Sequence, residues 1–511
     1  MGEKKLKVIK TFYGGIVRDE KSKINGAASN LEEIDIFTNA DFIQAEQIFS
    51  SDSLPASTEA YAYTSGPDDT VYAYGKETSG NKVRLLSVAT GGADNPVAFA
   101  TLFTSADADD LAYKISPIVF HRTTEAQTDY LYYLTKNSTT IKLWRYNISG
   151  ASEAEVGTLT GLDGTDDRVS MKVMFGEIII ANGKYIAKVD KDGVFTNDAF
   201  TLPNDWIAVD MIPVSDVCLI LARYLDNKVN FCKGYWWDLT ATVQVDDSFN
   251  LPAGGPQWIV NYQETIMMLC AINGVARFFA LSGAYPGSLP QELAGITLDN
   301  IGTEVDQQPI SSSKMVAEKD KILYFGLYKS DKTAVYALGR LDADKPRALC
   351  LSKRFATSDY SLHKPTALAI VGPNFYGAYD DNGTASTVRC ETKNSPSRSA
   401  NGIYESVIID DDSPHMDKSF EAVFVSTKPL GASTDVNVSI AYDYGNYAEI
   451  FRDDGTSLNT TSAVQGQFNS TTGKKKKVAK VKLQLVSATT TSPIVTAIGI
   501  RLTTQQMPAP K

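Results

Sequence analysis

The chain has 511 residues, more than one hydrophobic core normally serves, so two or more domains are expected. It is 43% hydrophobic and 21% charged, and Lys+Arg 49 against Asp+Glu 60 leave a net charge of −11, which disfavours a nucleic-acid binder held by phosphate neutralisation. No run of about eighteen apolar residues marks a membrane span, and Met1–Lys7 lacks the apolar stretch of a secretory signal, so no stable membrane insertion is expected. Tyr 25 and Phe 21, with abundant Thr and Val, favour strands over helices. The five cysteines, Cys218, Cys232, Cys270, Cys350 and Cys390, are far apart and read as free thiols of a protein made in a reducing cytosol.

Residues 1–55 are expected to be an extended arm. Leu6, Val8 and Phe12 alternate with basic residues until Gly14-Gly15 breaks the run, and Leu31, Ile34, Ile36 and Phe37 form a second apolar patch. Ser29-Asn30-Leu31-Glu32 has the spacing of a capping box, but Ile34-Asp35-Ile36 reads as strand, so any helix is short. Such an arm either donates a strand that closes the next domain or docks on a neighbouring subunit.

Residues 56–398 carry a loosely repeating strand grammar. Val71–Tyr74 pairs in pattern with Val83–Leu86, and Tyr130–Leu134 with Ile141–Trp144. Glu177–Ala181 is joined through Asn182-Gly183 to Tyr185–Val189, a strong hairpin signal because both turn residues need positive φ. The grammar returns at Val217–Leu221, Ile266–Cys270, Ile322–Gly326 and Asn374–Tyr379. A spacing of roughly 40 to 60 residues is that of four-stranded blades, and about seven of them predict a β-propeller. The weakly periodic stretch from Tyr285 to Gln308 reads as an insertion.

Residues 399–511 change register. Ser406–Ile409, Phe420–Val425, Val436–Tyr442, Val478–Leu485 and Thr496–Leu502 are longer, cleaner alternating strands, which predict a β-sandwich. The fold class is therefore all-β: an N-terminal arm, a propeller and a C-terminal sandwich.

Signals for chemistry are weak. His121, His363 and His415 are scattered, and no HExxH, GxSxG, Walker A or GxGxxG pattern stands in its required context. Asp190-Lys191-Asp192-Gly193 and Asp380-Asp381-Asn382-Gly383 begin like calcium loops but lack the later acidic ligand, so they read as hairpin turns. Asp410-Asp411-Asp412 reads as a solvated acidic loop, and Lys474–Lys477 as an exposed edge that discourages strand-to-strand aggregation. Tyr235-Trp236-Trp237 would suit a sugar-stacking surface, but packing against the next blade, or an intersubunit contact, is the favoured reading. No catalytic residue, cofactor or metal ligand is assigned, and the chain is expected not to be an enzyme.

Residues 11–37, with an aromatic pair Phe12-Tyr13, then Gly14-Gly15, Asp19 and Gly26-Ala27-Ala28 leading into an acidic-apolar segment, are similar to the N-termini of tailed-bacteriophage tail proteins. The run from Tyr404 to Tyr444 resembles sandwich domains of phage tail components. The chain thus resembles the tail nozzle, or tail hub, of short-tailed phages. That resemblance implies a structural virion protein made in the host cytoplasm. It implies a homo-oligomeric ring, a homohexamer, below a tail adaptor and beside tail fibre proteins. Genomic DNA would pass through without specific binding and be retained until DNA ejection. Phe12, Tyr13, Gly14, Gly15, Asp35 and Phe37 are the residues it singles out for assembly. The alternative is a glycan-binding or glycan-cleaving propeller acting as a host-surface adhesin, for which Tyr235, Trp236 and Trp237 are the candidate contacts.

Overall fold

The computed structural model describes residues 3–12, 16, 27–37, 41–46, 50–51, 54–80, 82–89, 98–105, 111–112, 117–137, 140–160, 169–224, 231–240, 248–251, 254–272, 275–281, 290–299, 313–319, 321–327, 334–339, 348–352, 363–371, 374–381, 387–392, 398–459 and 464–504. Among these, regular structure is strand apart from 3-10 turns at Pro67–Asp69 and Ser313–Met315. The chain forms two compact units. One joins Met1–Ile48, Val335–Ala356 and Ser395–Lys511; the other holds Phe49–Ala334 and Thr357–Asn394.

The second unit is a succession of antiparallel sheets. The first is Thr58–Ser65, Thr70–Glu77, Lys82–Ala89 and Ala100–Thr104, each strand paired to the next in sequence. The second is built on Asp129–Asn137, Thr140–Asn147 and Ser152–Leu159, with Val119–Arg122 and Leu111–Ala112 both pairing to Asp129–Asn137. The third runs through Val169–Met174, Glu177–Asn182, Tyr185–Val189 and Phe195–Thr201, and the fourth through Trp206–Val214, Val217–Tyr224, Cys232–Trp237 and Ser248–Leu251. Gly255–Tyr262, Thr265–Ile272, Val275–Leu281 and Pro290–Asp299 make the fifth. A hairpin of Val316–Lys319 and Ile322–Leu327 follows. The last sheet, His363–Val371, Asn374–Asp381 and Thr387–Thr392, takes its fourth strand from Ser50–Ser51, with Glu391 opposite Ser51.

The middle strands are apolar on both faces, as in Glu177–Asn182, because each sheet is covered on two sides. Apolar clusters are therefore shared between neighbours. Tyr132 and Leu143 pack with Ile178 and Ile180; Ile179 and Ile186 with Met211, Ile220 and Trp237; Leu219 and Leu221 with Ile259, Met268 and Phe279. Trp258 and Phe278 meet Phe325 at 5.8 and 5.4 Å between ring centroids, and Tyr324 meets Phe375 at 5.1 Å. Tyr74 and Leu85 of the first sheet pack with Leu131 and Tyr133 of the second and with Ala367 and Tyr376 of the last. Each fully buried Leu, Ile or Val contributes about 1.5–3 kcal/mol.

Two sequence expectations change in this unit. Part of the stretch read as an insertion is a strand, Pro290–Asp299, paired with Val275–Leu281. Its register jumps from Arg277↔Thr297 to Phe279↔Glu292, and this wide bulge erases the period that sequence reading relies on. In the Asn182-Gly183 hairpin the residues facing each other are Asn182 and Tyr185, so the loop is Gly183-Lys184. Gly183 alone sits at positive φ, 65°, the arrangement of a turn with glycine first.

The first unit has two facing sheets. One has the order Glu3–Ile9, Val495–Thr504, Lys418–Thr427, Gln465–Asn469. The other runs Ala348–Ser352, Ala28–Glu32, Asn401–Ser406, Ala479–Val486, Asp435–Tyr442, Ala448–Ile450, with the Ala334–Gly339 strand paired to Ala348–Ser352 through Val335–Gly339. Alternation makes this possible. Ala479, Val481, Leu483 and Leu485 face the core while Lys480, Lys482 and Gln484 face out. The core gathers Val423, Val425, Ile498, Ile500 and Leu502 from one sheet and Leu31, Tyr404, Val436, Val438 and Ile440 from the other.

Residues 1–48 are thus not a separate arm, whereas Ser50–Ser51, at the end of the expected arm, does donate a strand to the last sheet of the other unit. Glu3–Ile9 is an edge strand paired along its length with Val495–Thr504, from Glu3↔Thr504 to Ile9↔Ile498. Ser29-Asn30-Leu31-Glu32 is strand rather than a helix cap, and Ser29 Oγ donates to the carbonyl of Ser406 at 2.9 Å. The physical reason is core composition: Phe12, Leu31, Ile34, Ile36 and Ile43 are buried with the C-terminal strands.

Candidate functional site

Four of the first strands in the second unit share a feature. Thr58–Ser65, Trp206–Val214, Gly255–Tyr262 and His363–Val371 each skip one residue against their neighbour, at Tyr61, Val209, Gln257 and Thr366. Such bulges sharpen twist and re-aim the side chain that follows. At the first of them a glycine is required: a Cβ on Gly75 would lie 1.6 Å from the carbonyl oxygen of Glu59.

The bulge in the fourth sheet delivers Asp210 into the interior. Its carboxylate is fully buried. Oδ1 accepts from Ser170 Oγ at 2.8 Å and pairs with Lys172 Nζ at 2.8 Å; Oδ2 accepts from the Ile259 N–H at 3.0 Å. Lys172 also donates to the Met211 carbonyl at 2.8 Å. One carboxylate therefore ties the first strands of three consecutive sheets. With both oxygens facing fixed donors, it acts as a clamp; a general base or nucleophile needs a lone pair aimed at substrate. Cys218 lies within its electrostatic reach, and burial pushes that thiol up to about 12, so it is inert.

A second polar centre surrounds Glu59. This buried side chain accepts from Tyr61 Oη at 2.7 Å and sits 3.7 Å from Lys76 Nζ, while its Oε1 is buried with no hydrogen-bond partner. Lys314 Nζ donates to the Tyr61 carbonyl at 3.1 Å. His121 is buried on Val119–Arg122 beside Tyr132, and burial lowers its pKa, which keeps it neutral near pH 7. Among the described residues no group of three or more His, Cys, Asp or Glu is placed to hold a metal ion.

The first unit has its own charged cluster. Lys5 and Lys7 reach Asp411 at 3.0 and 3.7 Å, Lys7 reaches Asp412 at 3.4 Å, and Thr504 Oγ1 donates to Asp411 at 3.2 Å. The acidic loop is thus engaged by the N-terminal strand, and Asp411 is buried. Lys418, also buried, donates to the carbonyls of Ser413, Met416 and Lys477 at 2.5, 3.0 and 2.9 Å. Burial holds its pKa below the ordinary lysine value, against the pull of Asp410 and Asp411. Within the lysine run, Lys476 pairs with Asp443 at 3.6 Å.

The residues singled out from sequence are distributed as follows. Phe12 is buried, edge-on to Tyr404 at 5.7 Å. Asp35 accepts from the Phe37 N–H at 3.0 Å and Gln44 Nε2 at 3.1 Å, and Phe37 packs against the core. Tyr13, Gly14 and Gly15 lie outside the described residues. Tyr235, Trp236 and Trp237 are buried: Trp237 stacks on Phe200 at 5.1 Å, Tyr235 meets Trp206 at 5.7 Å and Trp236 meets Phe249 at 5.7 Å. Sequence reading missed Asp210 and Lys418. The signal for Asp210 was present, a lone charge inside Ile207-Ala208-Val209-Asp210-Met211-Ile212, since a charge in an apolar strand demands a buried partner.

No family model and no curated protein matches the sequence. Among solved structures, an exo-β-1,3-galactanase from Phanerochaete chrysosporium is similar at TM-score 0.33 and 8% identity, covering 89% of this chain and 99% of that one. The β-propeller domain of the Trilobed protease from Pyrococcus furiosus is similar at TM-score 0.39 and 8% identity, over 66% of this chain and 93% of that one. A 6-phosphogluconolactonase-like protein from Bacteroides uniformis is similar at TM-score 0.37 and 12% identity, over 65% and 90%. Likenesses this distant carry no argument about activity.

Proposed function

We propose that this chain is a structural subunit of a bacteriophage tail, a nozzle or hub protein whose copies form a ring around the DNA exit channel. The observation that carries the reading joins its two ends. The segments that resemble tail proteins, 11–37 and 404–444, build one core, with Leu31 opposite Tyr404 in register and Phe12 against the Tyr404 ring. A segment that threads into its own C-terminal β-sandwich makes both ends one rigid body, as a ring segment requires.

The second unit, on this reading, is a seven-position β-propeller. Its support is the order of contact: Thr58–Ser65, Val119–Arg122, Val169–Met174, Trp206–Val214 and Gly255–Tyr262 touch in succession, Gly255–Tyr262 touches the Ser313–Met315 turn, and His363–Val371 touches both Val316–Lys319 and Thr58–Ser65. Val316–Leu327 occupies the sixth position, and Ser50–Ser51 closes the seventh. The Asp210 clamp stiffens three adjacent blades, which suits a part that must hold its shape under packaged DNA.

Cryo-electron microscopy of the purified chain, with mass photometry on the same sample, tests the proposal. The expected result is a closed ring with a channel wide enough for duplex DNA and an acidic or neutral lining. A stable monomer that binds a glycan on an array would overturn it in favour of the adhesin. In that case the sugar would have to sit elsewhere than Tyr235, Trp236 and Trp237, whose rings are used inside the fold.

A further inference from the structure

At one end of the fourth sheet three aromatic side chains stand in a row. Trp206 is opposite Tyr224 in register. Arg223 opposite Cys232 puts Tyr224 opposite Phe231, whose carbonyl accepts the Tyr224 N–H at 3.0 Å. Residues directly opposite one another share a face, so the three side chains stand on the same side of the sheet. Exposure rises along the row: Trp206 and Tyr224 are half-buried, and Phe231 is 56% exposed. The Trp206 ring is fixed edge-on to Tyr224 at 5.4 Å and to the buried Tyr235 at 5.7 Å.

The fold does not itself require aromatic groups at this level. Trp206 lies three residues before the bulge at Val209. The residue so placed in the first sheet is Thr58, opposite Glu77 and then Lys82. In the last sheet it is His363, opposite Asp381 and then Thr387. Those rows are polar, as the wet end of a sheet ordinarily is.

Cations gather at the same end. Lys233, two residues from Phe231 and therefore on its face, holds Nζ 5.2 Å over the Trp206 ring. The Gly183-Lys184 turn of the third sheet reaches the row as well. Its Gly183 carbonyl accepts the Ala208 N–H at 2.9 Å, and Lys184 Nζ donates to Asn204 Oδ1 at 3.1 Å. The exposed Asp205 adjoins Trp206 and offers an acceptor.

We propose that the Trp206–Tyr224–Phe231 row binds an acidic oligosaccharide. One sugar ring would stack its C–H face on Phe231 with its carboxylate on Lys233, and the next would run toward Trp206, giving hydroxyl hydrogen bonds to Asp205. The row spans two strand spacings, about 10 Å, which accommodates two sugar units. A nucleic-acid strand could stack on the same rings, but its phosphates would meet Asp205 and a chain of net charge −11, so the saccharide is favoured. The inference stands apart from the ring reading, which electron microscopy decides on its own.

The test probes full-length protein on an array of uronic-acid and sialic-acid oligosaccharides, each beside its carboxyl-reduced counterpart, and follows with calorimetric titration of the strongest pair. Acidic glycans should be retained, with the reduced forms about tenfold weaker and the difference shrinking as salt rises. Phe231→Ala should weaken binding about tenfold, and Lys233→Gln should erase the preference for the acidic form. Both side chains reach solvent, and melting curves like wild type confirm that the variants fold. No acidic glycan retained by wild type, affinity unchanged in Phe231→Ala, preference unchanged in Lys233→Gln, or a polythymidine strand bound more tightly than any glycan would each overturn the proposal. None of these outcomes bears on whether the chain forms a ring.

Discussion

Replacing Asp210 by alanine would remove the acceptor for Ser170, Lys172 and the Ile259 N–H at once. Breaking a buried ion pair from one side costs about 3–5 kcal/mol, because the partner's charge is left uncompensated. Lys172 is a quarter exposed and keeps its bond to the Met211 carbonyl, so it can turn partly to water, which places the cost near the lower end, about 3 kcal/mol. The Ile259 N–H has no such escape. A two-unit chain does not unfold as one step, so a single melting curve is a poor readout. Hydrogen exchange followed by mass spectrometry reads local opening directly. Peptides covering Val169–Met174, Trp206–Val214 and Gly255–Tyr262 should exchange about a hundredfold faster, while peptides of the two-sheet unit serve as the internal reference. Asp210→Leu with Lys172→Met removes both charges and should recover at least half of the lost protection. A change below about threefold in Asp210→Ala would refute the claim that this carboxylate clamps three sheets.

Gly75→Ala should prevent the first sheet from forming, a loss of about 3 kcal/mol or more, because the new Cβ would overlap the Glu59 backbone rather than a movable side chain. Soluble expression and thermal melting read it. Tyr404→Phe should raise stability by about 1 kcal/mol, since the buried phenol has no hydrogen-bond partner. Burial raises the Tyr404 pKa above its ordinary 10.0, so its contribution is full below about pH 10 and lost as pH rises toward the folded value; the phenylalanine variant should lose less stability in alkali. Lys418 has the opposite sign. Its pKa is lowered from 10.5, so the unfolded chain binds more protons between the lowered value and 10.5, and stability rises with pH there; Lys418→Met should flatten that rise in denaturant titrations at stepped pH. Phe12→Ala should cost about 3–5 kcal/mol in the melting of the two-sheet unit, even in a monomer, because the ring fills the core against Tyr404.

Much of the strand layout was legible because burial imposes period. Val71–Tyr74 does pair with Val83–Leu86, through Tyr74↔Leu85, and Tyr133 does face Trp144. The alternation of Val478–Leu485 marks one dry face, as the sheet shows. What escaped reading follows from distance along the chain and from bulges. Glu3–Ile9 and Val495–Thr504 lie at opposite ends of the chain, and nothing local announces that they pair. In Pro290–Asp299 the register jump destroys the period. Asp210 is a single charge whose partners lie on other strands, and Lys418 donates to main-chain carbonyls that any residue supplies, so neither leaves a motif in the spacing. The aromatic trio at Tyr235–Trp237 was legible as a packing cluster, and the structure buries all three rings, because a middle strand of a sheet covered on both faces has no wet side.

The lysines of the first strand bear on register as well as on charge. Pairing of Glu3–Ile9 is stitched by residues from the opposite end of the chain, and loop length alone adds little to the entropy of closing so long a connection. What has to be specified is which residue faces which. A slip of one position would move Leu6 and Val8 to the face now held by Lys5, Lys7 and Ile9. That slip would bury more apolar surface against the sheet, so hydrophobicity alone favours it. It would also strip Asp411 and Asp412 of their lysines, leaving the buried Asp411 with only Thr504 among the partners named above. A buried carboxylate without its cation costs several kcal/mol, more than a half-exposed leucine and valine return. The acidic loop thus holds Leu6 and Val8 on the outside. Replacing Asp411 and Asp412 with asparagine should therefore release the strand and raise exchange in the peptide covering Glu3–Ile9. Exchange in that peptide unchanged from wild type would show that the acidic loop does not set this register.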